Sequence, residues 1–113
     1  MNKVINYLSS FIIYYCKVVN FDILENRDNF VYLKNNNSAF TGTAISYYHE
    51  GGIKEKLSFK NGLKHGKAIT YYKSGKIREK VLFKNGFLNK TAYMYKENGE
   101  LAAKIRYKNG EIV

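Results

Sequence analysis

The sequence predicts a mainly β fold, an elongated antiparallel meander of β-hairpin repeats, with a short N-terminal helix as one option for the first segment. Three observations support this prediction. The 113 residues include 11 Tyr and 7 Phe but no Pro and no Trp, and aromatic and β-branched residues favour strands. Asn-Gly pairs, which are typical of tight hairpin turns, recur along the chain. From position 42 onward, the sequence also repeats itself every 24 residues.

A gapless alignment defines three repeats, at residues 42–65, 66–89 and 90–113. Among the positions that are identical in all three repeats are an alanine (Ala44, Ala68, Ala92), a tyrosine (Tyr47, Tyr71, Tyr95) and a glycine (Gly51, Gly75, Gly99). Self-similarity at a fixed period indicates units that stack on their neighbours to bury a continuous core. We therefore divide the chain into an apolar N-terminal segment (residues 1–20), a degenerate lead-in hairpin (residues 21–41) and the three repeats.

Each repeat has the pattern of two strands joined by a turn. Alternation of apolar and polar side chains places Ile77, Val81 and Phe83 on one face of a strand. That strand leads into Asn85-Gly86, which favours a type I′ turn because both central residues of such a turn need a positive φ. Each repeat is therefore expected to add two antiparallel strands to one thin sheet.

The repeats also resemble a known family. The stretch FKNGLKHGKAITYYKSGK (Phe59–Lys76) resembles a MORN repeat of the variant type, and ENRDNFVYLKNNNSAFTG (Glu25–Gly42) is similar to the lead-in of bacterial MORN-variant proteins. Lys90 stands where the first two repeats have glycine, so the third repeat is expected to pair less closely. The resemblance implies a meander of MORN-like hairpins. It also implies kinship with bacterial YwqK-type antitoxins, and with arrays that bind membranes or proteins.

Residues 1–20 are apolar, with no charge between Lys3 and Lys17. One option is a helix, whose apolar stripe would run to Val18 and would pack on the sheet or cap its edge. A second is a secretory or lipoprotein signal with Cys16 at a plausible depth, although Tyr15 precedes that cysteine where a cleavage site needs small residues. A third is a β-strand. We expect a cytoplasmic protein, or an envelope or secreted one if the segment is a signal.

The charge of the chain is strongly basic and unevenly distributed. There are 19 Lys and Arg against 9 Asp and Glu, a formal net charge of +10, and 15 of these basic residues lie from Phe40 onward. Such a balance favours an anionic partner, which would be an acidic protein, nucleic acid or an anionic membrane surface. The alternative is that the lysines keep a thin sheet soluble and protect its edges.

The basic residues of the repeats alternate with the apolar ones, so they are expected to share the opposite face of the sheet. Stacking the repeats would align Lys56, Lys80 and Lys104 in one column, with about 10 Å between neighbours, two strands apart. Tyrosines on adjacent strands would add contact surface. The candidate partner-binding residues are Lys54, Lys56, Lys60, Arg78, Lys80, Lys84, Lys104, Arg106, Lys108, Tyr47, Tyr71 and Tyr95.

Residues suited to catalysis or metal binding are few, and we expect no enzyme activity, no cofactor and no metal. His49 and His65 have no Cys, Asp or Glu at metal-ligand spacing, and we expect the first to be solvated and the second to lie beside a turn. The only cysteine, Cys16, rules out an intrachain disulfide. Glu55 and Glu79 fall on the apolar face, where we expect each to pair with a cross-strand Lys or Tyr.

Three functions remain open from the sequence. The first is a non-enzymatic module that binds and neutralises an acidic protein partner through its Tyr- and Lys-rich surface, as an antitoxin, immunity protein or inhibitor does. The second is a basic nucleic-acid-binding protein, or an inhibitor of a nucleic-acid-guided nuclease. The third is a peripheral lipoprotein of the cell envelope, with the apolar segment as its anchor.

Overall fold

The strands of the structure follow the repeat. The structure is a computed structural model and describes residues 17–113. Its strands are β1 (Val18–Asn20), β2 (Leu24–Arg27), β3 (Phe30–Leu33), β4 (Gly42–Tyr47), β5 (Ile53–Lys60), β6 (Leu63–Tyr71), β7 (Ile77–Lys84), β8 (Phe87–Tyr95), β9 (Leu101–Lys108) and β10 (Glu111–Ile112). A single 3-10 turn at Phe21–Ile23 is the only helical element in this part of the chain. The predicted mainly β fold is confirmed.

Eight of the strands form one sheet in the order β1-β4-β5-β6-β7-β8-β9-β10. Every pair from β4 onward is antiparallel and consecutive in sequence, whereas β1 pairs with β4 in parallel. The described molecule measures 49 × 33 × 23 Å, with a radius of gyration of 15.9 Å. A compact domain of this length would have a radius of gyration of about 13 Å. The predicted elongated meander is therefore confirmed.

The turns within the repeats have the predicted type I′ geometry. The φ angles of Asn61, Asn85 and Asn109 are 50°, 49° and 52°, and the glycines that follow them have φ of 83°, 91° and 84°. Asparagine tolerates the left-handed region better than most residues, and glycine adopts it without strain. The Asn-Gly pairs therefore have a structural role, because the hairpin turns require them.

Hydrogen bonds between neighbouring repeats hold the stack in register. The N–H of Gly86 donates to the carbonyl of Lys64 at 2.8 Å, and the turns before and after make the equivalent bond. At the other end of the strands, the Tyr72 hydroxyl donates to the carbonyl of Tyr95 at 2.6 Å. Tyr48 donates in the same way one repeat earlier. These contacts recur because the same residue types return every 24 positions.

The third repeat pairs as closely as the others, so the expectation drawn from Lys90 is wrong. Lys90 lies opposite Tyr107, as Gly42 and Gly66 lie opposite aromatic residues in their own repeats. It keeps this position by adopting a φ of 64°. A lysine in the left-handed region costs about 1–2 kcal/mol, so the substitution is accommodated by backbone strain rather than by looser pairing.

The buried core lies on one face of the sheet, near its N-terminal end. Phe40 is only 2% exposed, and its ring meets that of Phe59 in a T-shaped contact with centroids 5.8 Å apart. Ala44, Leu57 and Ala68 complete the buried cluster. The β2–β3 hairpin covers this cluster by packing partly buried aliphatic side chains against it. Among residues 17–113 the buried core is therefore small, and it is concentrated where the hairpin meets the first strands of the repeats.

The predictions made for residues 1–20 are tested only at their C-terminal end. Val18–Asn20 forms a strand rather than the end of a helix, so the apolar helical stripe does not reach Val18. The helix, signal and strand options for residues 1–16 lie outside the described residues and stay predictions. Between residues 17 and 113, no helix is long and apolar enough to cross a membrane.

Candidate functional site

The central basic column is a continuous row across five strands of the sheet. Lys56 lies opposite Ile69, which lies opposite Lys80 on its other side. Lys80 in turn lies opposite Tyr93, and Tyr93 lies opposite Lys104. Neighbouring strands are about 4.8 Å apart, so successive lysines are about 10 Å apart, with one apolar or aromatic side chain between them. We call Lys56, Lys80 and Lys104 the basic row.

The remaining basic candidates surround this row, and all of them are exposed. They are Lys54, Lys60, Arg78, Lys84, Arg106 and Lys108. Together with the basic row they form what we call the basic face. The ion pairs within residues 17–113 involve Arg27, Lys73 and Lys96, none of which belongs to the basic face. Glu111 lies opposite Lys108 at one corner. The residues between 17 and 113 thus leave the charges of the basic face largely uncompensated.

The three tyrosine candidates differ in how much they offer to a partner. Tyr47 is 53% exposed, whereas Tyr71 and Tyr95 are half-buried. Lys56 Nζ lies 5.9 Å from the centroid of the Tyr71 ring, which places this tyrosine beside the basic row. A cation–π contact at an exposed site contributes about 0.5–1 kcal/mol. It therefore helps to orient the lysine without neutralising its charge.

Two features of this surface were not predicted from the sequence. Lys67 is exposed and lies opposite Leu82, so it extends the basic face. The hydroxyls of Tyr48 and Tyr72 are used within the stack, so these residues hold repeats together. The sequence did contain a signal for this role of the tyrosines. Tyr48 and Tyr72 occupy the same position of the repeat, and only the last repeat, which has no repeat after it in this sequence, has a different residue there, Lys96.

The acids of the opposite face are not paired as expected. Glu55 and Glu79 both lie opposite Thr70, one on each side of it, instead of opposite a lysine or a tyrosine. Neither carboxylate forms an ion pair with another residue between positions 17 and 113. The Thr70 hydroxyl is buried and has no hydrogen-bond partner among these residues. Among residues 17–113, this group of polar side chains on the core face thus has no ion-pair partner, and its threonine hydroxyl has no hydrogen-bond partner.

One of the two histidines forms a hydrogen bond to a turn, and the other is exposed to solvent. His65 Nδ1 accepts a hydrogen bond from the N–H of Asn85 at 3.2 Å, which places it beside a turn as expected. The same position one repeat earlier is Thr41, whose hydroxyl accepts from Asn61 at 2.9 Å. His49 is exposed. Within residues 17–113 no three His, Cys, Asp or Glu side chains come together as metal ligands would.

One carboxyl in the lead-in hairpin is electrostatically perturbed. Arg27 donates a hydrogen bond to Glu25 Oε1 at 2.8 Å. This hydrogen bond is the main reason that the pKa of Glu25 lies below its ordinary value, and the charge of Arg27 adds to it. The pair lies on β2, away from the basic face. Arg27 also donates a hydrogen bond to the carbonyl of Leu33 on β3 at 3.2 Å, so this arginine helps to hold the two strands of the hairpin together.

Comparison with known proteins identifies the repeat. The model of a family described as MORN repeat variant matches residues 40–61, 64–85 and 88–109, which together make up more than half of the chain. The three matches start 24 residues apart, in agreement with the period of the strands. No curated protein and no solved structure matches the chain.

Proposed function

The chain belongs to the MORN repeat variant family, and from that premise we propose that it is a non-enzymatic module which binds and neutralises an acidic protein partner, as an antitoxin, immunity protein or inhibitor does. The observation that supports this proposal most directly is the basic face. Its nine Lys and Arg side chains, with Lys67 beside them, lie on one side of a sheet, and the described residues provide them with almost no carboxylates.

The size of the basic face suits a protein partner. Strands β5 to β9, which carry its residues, span about 24 Å at 4.8 Å per strand, and eight residues along a strand span about 26 Å. The face therefore offers about 620 Å², at the lower end of the roughly 600–1,000 Å² that each partner contributes to a standard interface. Flat and regular surfaces of this size allow many contacts at once.

Electrostatics would set the rate and the selectivity of this binding. A face of uncompensated cations attracts an acidic surface from beyond contact distance and raises the association rate. Each exposed ion pair adds only about 0.2–1 kcal/mol, so affinity depends on several pairs and on the aromatic anchors. Tyr47 and Tyr93 are the tyrosines best placed to serve as such anchors, since one is exposed and the other lies within the basic row.

The test is affinity purification from the native cell, with and without nuclease treatment, followed by mass spectrometry. We expect one acidic protein to be retained at about one copy per chain and to survive the nuclease. Lys56→Glu, Lys80→Glu and Lys104→Glu together should remove it. A matched control reverses three exposed lysines outside the basic face: Lys34→Glu, Lys76→Glu and Lys96→Glu. Equal retention by both triple variants, or no stoichiometric partner at all, would refute the proposal.

Nucleic-acid binding is the second candidate, because the basic row places an aromatic ring between two lysines. Single-stranded nucleic acid is held by such alternation of cations and stacking surfaces. Anisotropy of a labelled 20-nucleotide RNA would detect it. Removing one lysine–phosphate ion pair lowers the salt slope by about 0.7, so the triple basic-row variant should lower the slope by about 2. An unchanged slope excludes the basic row from RNA binding.

A further inference from the structure

The core face of the sheet carries an open groove of about 390 Å³ beyond the β2–β3 hairpin. Its floor is apolar and consists of Leu57, Ala68, Val81 and Ala92. The groove extends from β5 to β9, about 19 Å across the strands, and along β7 from Glu79 to Phe83, about 13 Å. The volume of the groove lies within the range of ligand sites in proteins, but the groove is longer than a small cationic ligand such as an amine would fill. These dimensions suit a short stretch of extended polypeptide.

One end of the groove presents three acceptors in a row. Glu55, Thr70 and Glu79 occupy three consecutive strands in register, so the Cα atoms of the two glutamates are about 10 Å apart, with the threonine between them. The carboxylates form no ion pair with any described residue, and the buried Thr70 hydroxyl has no partner among those residues. A buried polar group without a hydrogen bond is uncommon and costly in a folded protein. This end of the groove is therefore suited to a group that donates several hydrogen bonds.

The other end of the groove is cationic and aromatic. Lys64 lies on the same face, with its Nζ 5.2 Å from the centroid of the Phe83 ring. Phe83 is four residues further along β7 than Glu79, a distance of about 13 Å. The groove is thus acidic at one end, apolar in the middle and basic at the other. A ligand with a positive and a negative end would therefore bind in one orientation, with its positive end at the acidic end of the groove.

We propose that this groove binds an extended segment of a partner protein that carries a lysine or arginine, an apolar residue two positions on, and a carboxylate two positions further. Side chains of an extended segment alternate in direction, so these three would all face the sheet. The cation reaches Glu55, Glu79 and the Thr70 hydroxyl, and the carboxylate reaches Lys64. A net-neutral segment is favoured because the chain, at +10, repels a cationic one.

The groove is a separate site from the basic face, on which the proposed function rests. It lies on the opposite side of the sheet, and its ligand has a different charge. A second copy of the chain is a poorer occupant, since two molecules of charge +10 repel each other. The two faces could accordingly hold two segments at once. Loss of one interaction would leave the other in place.

The test uses the full chain and an unlabelled probe, acetyl-Lys-Thr-Leu-Thr-Glu-amide, measured by titration calorimetry and methyl NMR. We expect binding with a dissociation constant below about 1 mM, with shifts of the Leu57 and Val81 methyl groups. The control peptide, acetyl-Thr-Lys-Leu-Glu-Thr-amide, has the same composition, but its leucine faces away from its charged residues. It should bind at least tenfold more weakly.

Variants assign the binding to the groove. Glu79→Gln should weaken it about tenfold, since hydrogen bonds to charged groups are the strong ones. Thr70→Val should weaken it three- to tenfold without lowering the melting temperature, because the free protein loses only an unpaired hydroxyl. Lys76→Gln, at an exposed position outside both the groove and the basic face, should leave it unchanged. These results distinguish a weakened ligand interaction from a folding defect.

Several outcomes would overturn the proposal. One is no binding of the probe at millimolar concentration, and another is equal binding of the two peptides. Unchanged affinity in both groove variants would show that the peptide lies elsewhere. Without peptide, contacts of the Leu57 and Val81 methyls with residues 1–16 would make this chain's own segment the occupant. Shifts of those methyls with protein concentration would make a second copy the occupant.

Discussion

The backbone strain at Lys90 gives a prediction whose sign and size follow from the structure. Lys90 has a φ of 64° at a position where Gly42 and Gly66 have φ of 150° and 95°. Glycine there removes about 1–2 kcal/mol of strain but adds about 0.5–1 kcal/mol of unfolded-chain entropy. The Lys90 side chain is exposed and forms no ion pair with any described residue. We therefore expect Lys90→Gly to raise the free energy of unfolding by about 0.5–1 kcal/mol.

The assay is urea unfolding followed by circular dichroism, with thermal unfolding as a second measurement. A gain of 1 kcal/mol corresponds to about 4–8 °C in the melting temperature of a domain of this size. The matched control is Gly66→Lys, the reverse change one repeat earlier. A Cβ at position 66 would lie 3.5 Å from Ser58 Cβ, an ordinary contact, so its cost is conformational and about 2 kcal/mol. Equal or lower stability of Lys90→Gly would refute the reasoning.

Three further predictions concern single contacts. Tyr72→Phe removes the hydroxyl that donates to the carbonyl of Tyr95 and should lower the free energy of unfolding by about 1 kcal/mol in urea melts; an unchanged midpoint would show that the bond does not hold the repeats. His65→Ala should destabilise by a similar amount, whereas His65→Thr, which keeps an acceptor, should be close to wild type. Because the pKa of Glu25 is lowered in the folded state, its contribution to stability is present above the ordinary carboxyl pKa and is lost as the pH falls through the lowered value. Arg27→Gln should return the Glu25 titration, followed by carboxyl NMR, to the ordinary range, and an unmoved titration would exclude Arg27 as the cause.

The repeat and its turns were predictable because they depend on local chemistry. The φ angles of Asn61 and Gly62 follow from the two residues themselves, whatever surrounds them. The alignment of Lys56, Lys80 and Lys104 in one row also follows from the sequence. A constant period of two strands places equivalent residues two strands apart on the same face.

The sequence predicted the face of the sheet on which a residue lies better than it predicted the residue's neighbour on the adjacent strand. Glu55 and Glu79 were assigned to the correct face, but their common neighbour is Thr70, not a lysine or a tyrosine. The register between β5 and β6 shifts between Leu57 and Phe59, so β6 has more residues than β5 across that stretch. Alternation along one strand determines the direction of a side chain, whereas its neighbour depends on where the partner strand bulges.

The sequence by itself determined the repeat, the turn type and the two-sided distribution of charge, because each depends on residue type and on a fixed spacing. Only the tertiary structure decided where the β2–β3 hairpin packs and that β1 pairs with β4 in parallel. These contacts join segments outside the repeat, and no periodicity specifies them. They also shape the core face, because the hairpin covers one end of it and no residue between positions 17 and 113 covers the groove beside Thr70.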